Sequence, residues 1–186
     1  MMIGYGICGS FCTHARALEA LKKLTGKYDV IPVVTPAVIE TDTRFGRAAE
    51  FVESVEEACG RRAIATVKDA EPLGPALKLD CFVIAPCTGN TLAKIACGIT
   101  DTSVTMAAKA HLRCGGRLLI ALASNDAMSS NLQNIAKLLN KKNVYFVPMK
   151  QDDPVLKPHS LVADFSLIER CVELALESIQ ARPLFI

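Results

Sequence analysis

Apolar positions along this chain follow two alternating rhythms. Short, nearly unbroken apolar runs occupy residues 3–7, 29–34, 61–67, 81–85, 117–123 and 144–148. Between them, apolar residues recur at helical spacing, as in Ala17, Leu18, Leu21 and Leu24, or Val104, Ala107, Ala108 and Leu112. A strand covered on both faces loses the period-two alternation of a half-exposed one, so runs alternating with amphipathic helices predict a parallel sheet with helices on both sides. The expected class is α/β: a Rossmann-like, doubly wound, parallel six-stranded sheet in a single domain over residues 1–186. With strand order 3-2-1-4-5-6, the first and fourth strands flank the switch point where such sheets bind ligands. A helix is expected from about Phe45 through Val55, and a final one over residues 160–180.

Polar residues gather where the strands end. Pro86 stops the fourth run, and Cys87-Thr88-Gly89-Asn90-Thr91 precede a helix beginning near Leu92. Helix N-termini at this edge offer unpaired N–H groups and a favourable dipole to a ligand. Asn90 or Thr91 is the expected N-cap, and Lys94, one turn in, is expected to reach back over the loop. The same residues fit an ordinary capped turn equally well. Gly9, Ser10 and Thr13 follow the first strand in a phosphate-binding arrangement, although both hydroxyls also suit capping. Thr35 ends the second strand, and Ser124 opens a polar loop, residues 124–131, after the fifth. Arg44 lies near a strand end, while Lys157 and His159 belong to a charged, two-proline segment, residues 150–160, that reads as a surface loop.

Residues 86–101 carry a resemblance. Pro86-Cys87-Thr88-Gly89-Asn90-Thr91, followed by an apolar helix with Ala93-Lys94 and then Gly98-Ile99-Thr100-Asp101, resembles the signature of the homo-oligomeric flavin-containing cysteine decarboxylase family. That signature reads roughly Pro-Ala-Ser-Ala-Asn-Thr, then Ala-Lys and Gly-Ile-Ala-Asp; here Cys87 and Gly89 replace alanines and Thr88 a serine. The resemblance implies a flavoprotein fold of the FMN-dependent decarboxylase type, FMN as cofactor, and a homo-oligomer in which a neighbouring subunit completes the site. It implies that Gly9, Ser10, Thr35 and Ser124 address the phosphate and ribityl groups, and that Pro86, Thr88, Asn90 and Thr91 meet the isoalloxazine. Residues 6–12, 86–101 and 152–160 resemble most a two-subunit oxidoreductase within the family. That implies a separate A subunit holding NAD(P) and a small planar dicarboxylate substrate, for which Arg44, Lys94, Lys157 and His159 are the candidate cations.

The family's decarboxylases use a histidine in the middle third of the chain, and this chain has none between His14 and His111. Decarboxylation is therefore not carried over. A flavin-dependent decarboxylase, a prenyl-flavin synthase and a cofactor-less partner subunit are the alternatives. No residue is assigned to proton transfer; Asp126 is the one carboxylate in either signature loop.

Composition narrows the picture further. A net charge of +2 over 186 residues gives no field for nucleic acid or an anionic membrane. No apolar run approaches the roughly 18 residues of a membrane span, and the start lacks a basic region or cleavage pattern, so a cytoplasmic protein is expected. The 8 cysteines form no CxxC pair and read as buried thiols, and the 3 histidines lie at no metal-ligand spacing.

Overall fold

The computed structural model describes all 186 residues, Met1–Ile186. Parallel strands β1 (Met2–Ile7), β2 (Asp29–Val34), β3 (Cys81–Cys87), β4 (Arg117–Ser124) and β5 (Val144–Phe146) form the centre of the sheet. An antiparallel hairpin, β6 (Met149–Asp153) and β7 (Lys157–Ala163), completes a 7-stranded sheet of order β2-β1-β3-β4-β7-β6, with β5 also paired to β4. β4 forks: Leu118 to Ile120 pair with β5, whereas Ala123 and Ser124 at its C-terminal end pair with β7. The hairpin therefore stands at the edge where the parallel strands end.

The helices are α1 (His14–Thr25), α2 (Pro36–Glu40), α3 (Ala48–Cys59), α4 (Val67–Ala70), α5 (Gly89–Cys97), α6 (Ser103–Arg113), α7 (Leu132–Leu139) and α8 (Ile168–Leu176). They divide between the two faces of the sheet. On one face, Ile3, Tyr5 and Ile7 pack with Ala17, Leu21, Leu24, Val55 and Val172 from α1, α3 and α8. On the other, Phe82, Ile84, Leu118 and Ile120 pack with Leu92, Val104, Ala107 and Ile135 from α5, α6 and α7. Gly4 permits this second layer: a Cβ there would meet the Phe82 ring and Leu79 Cδ1, the latter at 2.7 Å. No helix is long and apolar enough to cross a membrane.

The parallel core and its two helical layers are as the apolar runs predict, with three differences. Residues 61–67 do not form a full strand; Ile64 alone makes a parallel bridge to Val33, and Thr66 then caps α4 by accepting from Asp69 N. That bridge occupies the edge position expected for the third strand. The helix expected from Phe45 begins only at Ala48, because Asp42 Oδ1 accepts from Ala48 N at 2.8 Å and fixes the helix start there. Residues 150–160 are not a loop but most of the β6–β7 hairpin, and the final helix starts at Ile168 rather than Ser160.

Candidate functional site

The ends of β1, β2, β3 and β4 meet along one edge. Cys8 N donates to Pro86 O at 3.2 Å, which ties the loop after β1 to the end of β3, and Thr35 N donates to Ile7 O at 3.1 Å, which ties in β2. β3 runs through Pro86 with a register shift between Ile84 and Cys87. Two short backbone bonds shape the β1 loop: Ser10 N to Cys8 O and Thr13 N to Ser10 O, both 2.9 Å. A 3₁₀ turn, Phe11–Thr13, then leads into α1.

Hydrogen-bond partners divide the predicted cofactor residues into two groups. Thr88, not Asn90 or Thr91, is the N-cap of α5: its hydroxyl accepts from Thr91 N at 3.2 Å and contacts Thr91 Oγ1 at 3.1 Å. Thr91 is buried, and its hydroxyl bears on the Cys8 thiol. Ser124 donates to Asp126 Oδ1 at 2.5 Å. These hydroxyls stabilise the loops themselves and keep one donor or acceptor site each beyond those bonds.

Ser10, Thr35 and Asn90 form the second group. The Thr35 hydroxyl is buried at the end of β2 and has no hydrogen-bond partner in the protein. An orphaned buried hydroxyl costs about 1–3 kcal/mol, so a ligand polar group that satisfies it is favoured there. Half-buried Ser10 makes no side-chain cap bond to the 3₁₀ turn, and Asn90 is exposed at the first turn of α5. Gly9 and Ser10 follow β1, Pro86 and Asn90 stand at the end of β3 and the start of α5, and Thr35 ends β2, so neighbouring strands deliver them to one edge of the sheet.

Gly89 joins the two loops. A Cβ on it would lie 2.6 Å from Asn131 Nδ2, 2.7 Å from Asp126 Oδ1, and closer still to Ser124 Oγ. Asp126 is gripped by Ser124 and by Asn131 Nδ2 at 2.8 Å, and the Ser124 hydrogen bond is the leading reason its carboxyl is held below the usual carboxylate range. The ionised group rests at the N-terminus of α5, where the helix dipole favours negative charge. The sequence marks Asp126 as the loop carboxylate, but its contact with Gly89 spans a gap in the chain that no local pattern reveals.

The candidate cations are placed differently from the expectation. Lys94 does not reach back over the loop; it lies in the last turn of α5 and pairs with Asp101 Oδ2 at 2.9 Å. Lys157 pairs with Asp152 Oδ2 across the hairpin at 2.6 Å. His159 is exposed on β7, where its carbonyl accepts from Met128 N at 3.0 Å and ties the hairpin to the 124–131 loop. The Arg44 guanidinium covers the Phe45 ring at 4.9 Å. Cys8 and Cys87 sit buried at the ends of β1 and β3, and burial pushes the Cys8 thiol up to about 11 and the Cys87 thiol well above its ordinary value. Both are neutral thiols at physiological pH and poor nucleophiles.

The chain matches the Flavoprotein family over residues 2–173. It is 43% identical over 185 residues to the B subunit of dipicolinate synthase from Bacillus subtilis, covering 99% of this chain and 92% of that protein. The crystal structure of the corresponding dipicolinate synthase chain from Bacillus halodurans superposes with a TM-score of 0.91 at 39% identity, covering 100% of this chain and 95% of that one. The FMN-dependent cysteine decarboxylase SpaF shares the fold at a TM-score of 0.70 and 21% identity, over 96% of this chain and 97% of that one. The crevice between β1 and β3, the capped Pro86 to Thr91 loop and the match over almost the whole length agree, and the chain belongs to the flavoprotein family.

Proposed function

We propose that this chain is the flavin-binding B subunit of a dipicolinate synthase, working in the mother-cell cytoplasm during sporulation. With a separate A subunit that holds NAD(P), it takes part in oxidising dihydrodipicolinate to dipicolinate. The chain acts as one domain over residues 1–186 and assembles with further copies of itself. The observation that carries the cofactor is the buried, unpartnered Thr35 hydroxyl beside Ser10 and Asn90, on a chain that resembles the Bacillus subtilis dipicolinate synthase protein from end to end.

FMN, when bound, supplies a two-electron acceptor for the dehydrogenation. Thr35 and Ser10 would hold the phosphate and ribityl end, and Asn90, at the start of α5, would offer its amide to the ring system. Pro86 and Cys87, both buried, wall off the crevice from the side of β3 and keep water out. Asp126, ionised and doubly hydrogen-bonded, fixes the loop after β4 against α5 and is not a proton carrier near neutral pH.

The test is a titration of the purified chain with FMN, followed by flavin absorption and fluorescence, for the wild type and Asn90→Ala. Asn90 is exposed and makes no cap bond, so the variant is expected to fold normally and to bind FMN at least several-fold more weakly. No spectral change at saturating FMN would overturn the flavin assignment and leave a family fold that serves the A subunit as a partner only.

A further inference from the structure

An aromatic cavity lies beside the β1 loop and shares no lining residue with the Pro86 to Thr91 loop. It has a volume of about 270 Å³ and is bounded by the 3₁₀ turn, the start of α1 and the segment joining α2 to α3. Phe11, His14, Phe45 and Phe51 line it, with Arg47 at its margin. Its floor is rigid. The His14 ring stacks on Phe51 with centroids 4.2 Å apart and an interplanar angle of 17°, and lies 5.2 Å from Phe11. His14 Nε2 donates to the Cys8 carbonyl at 2.9 Å, which fixes the tautomer, and burial lowers its pKa, so the ring is neutral at physiological pH.

The outer wall is built to hold an aromatic side chain in the open. Thr43 and Gly46 exchange two backbone hydrogen bonds of 3.1 Å, closing a tight turn with Arg44 and Phe45 at its apex. Thr43 Oγ1 accepts from Phe45 N, and Gly46 takes φ +145°, a conformation open to glycine. The turn keeps Phe45 55% exposed, with the Arg44 guanidinium over its ring. Arg47 makes one long contact, 3.4 Å, to Glu50, in a pair that is exposed on both sides and so weak. The other nearby carboxylate, Asp42, is occupied in capping α3.

Flat π surfaces with the Arg47 guanidinium on the lining, and that of Arg44 over the adjoining Phe45 ring, suit a flat ligand that carries carboxylates: rings stack, and arginine matches a carboxylate with paired donors. The volume lies at the lower end of the roughly 300–1,000 Å³ of small-molecule pockets, which suits one ring rather than a nucleotide. We propose that this cavity is the binding site for a planar aromatic or heteroaromatic carboxylate, separate from the flavin crevice, with Phe45 stacking on the ring and Arg44 and Arg47 taking the carboxylates. On the proposed function the ligand of this class to test is the pyridine dicarboxylate in its product form, since a ring held apart from the flavin is not placed to pass electrons to it.

The test titrates the full chain by calorimetry with dipicolinate, with isophthalate as a homologous ring lacking the chelating nitrogen, and with pimelate as a flexible aliphatic dicarboxylate, alongside FMN. Phe45→Ala and Arg47→Gln are both at exposed positions and leave the core intact. Each is expected to weaken the aromatic dicarboxylates roughly tenfold while leaving FMN affinity unchanged, with pimelate binding weakly throughout. Binding of isophthalate but not dipicolinate would keep the aromatic carboxylate site and remove the pyridine dicarboxylate as its ligand. Binding of dipicolinate with no binding of FMN would keep the site and remove the flavin. Competition between FMN and dipicolinate, together with FMN loss in Phe45→Ala, would overturn the proposal by making the cavity part of the flavin site. Aromatic dicarboxylates that do not bind the wild type, or bind both variants as tightly as the wild type, would overturn it outright.

Discussion

Replacing Gly89 with alanine tests whether the two loops of the crevice are built against each other. The new methyl group lands 2.6 Å from Asn131 Nδ2 and 2.7 Å from Asp126 Oδ1, with Ser124 Oγ nearer still, so those three groups must separate. They carry two hydrogen bonds to a carboxylate, of 2.5 and 2.8 Å. Each such bond contributes about 1.5–3 kcal/mol, and forcing a methyl into a packed site costs about 1–3 kcal/mol. Against this stands the gain from removing a glycine, at most about 0.5–1 kcal/mol and less at the first residue of a helix, where Gly89 sits. The side chains shift rather than lose both bonds, so the net loss is set mainly by the packing strain, about 2 kcal/mol, or roughly 4–8 °C in Tm for a chain of this size. Differential scanning calorimetry of the variant reads this directly, and Ser124→Ala supplies the partner for a double-mutant cycle. Removing the nearest obstacle should make Gly89→Ala at least about 1 kcal/mol less costly than in the wild-type background. An unchanged or raised Tm for Gly89→Ala, or strict additivity with Ser124→Ala, would refute the reasoning.

Three further outcomes follow from the same structure. Thr35→Val removes an orphaned buried hydroxyl at constant shape, so the ligand-free chain should gain about 1 kcal/mol in thermal stability while FMN binding weakens; equal or lower stability would mean the hydroxyl is satisfied after all. Asp126 has a lowered folded-state pKa, so its stabilisation is present above the ordinary carboxylate value and lost as pH falls through the lowered one; denaturant unfolding against pH should show a shallower acid limb in Asp126→Asn. Exposed Cys12, Cys97 and Cys114 should react quickly with a thiol reagent in the native state, and buried Cys8, Cys81, Cys87 and Cys171 only on unfolding, so fast loss of more than 4 thiols, counting half-buried Cys59, would contradict the burial pattern.

The parallel strands were legible because each is buried on both faces and so appears as an uninterrupted apolar run ending at a polar turn. The same reading went too far at residues 61–67. Alternating Ala63, Ile64 and Ala65 resemble a strand, but Arg61 pairs with Asp29, Ala63 N donates to Glu56 Oε1 at 2.9 Å, and Thr66 turns the chain into α4, so pairing stops after Ile64. The sequence pointed to Asn90 or Thr91 as the cap of α5 and passed over Thr88. The choice fell on Thr88 because its extended backbone, φ −78° and ψ 159°, places its hydroxyl on Thr91 N. The β6–β7 hairpin was illegible for the opposite reason. β6 is mostly exposed and carries Lys150, Gln151, Asp152 and Asp153, so no apolar pattern records it, and two prolines flank its tip. Backbone pairing holds it, with Asp153 Oδ1 closing the tip by accepting from Val155 N and Leu156 N at 3.0 and 2.9 Å.

That hairpin changes how charge is distributed over the site. Lys157 and His159 belong to β7, which pairs with the end of β4, so the fold brings both to the edge where the sequence suggested they meet an anion. Yet the strand pairing that sets Lys157 opposite Asp153 also brings up the adjacent Asp152, and that carboxylate engages the ammonium at 2.6 Å. Lys94 is engaged in the same way by Asp101. A flexible lysine finds its nearest acid, whereas Arg44 is kept from a carboxylate partner by the tight turn that lays it over Phe45. Of the cations expected to receive a dianion, the one still free of an acid and seated on an aromatic face is Arg44. Arg47, which the sequence did not single out, stands three residues away beside the same cavity. Arginine charge only weakly engaged by acids therefore lies on the segment between α2 and α3, whereas on the signature helix Asp101 takes up Lys94.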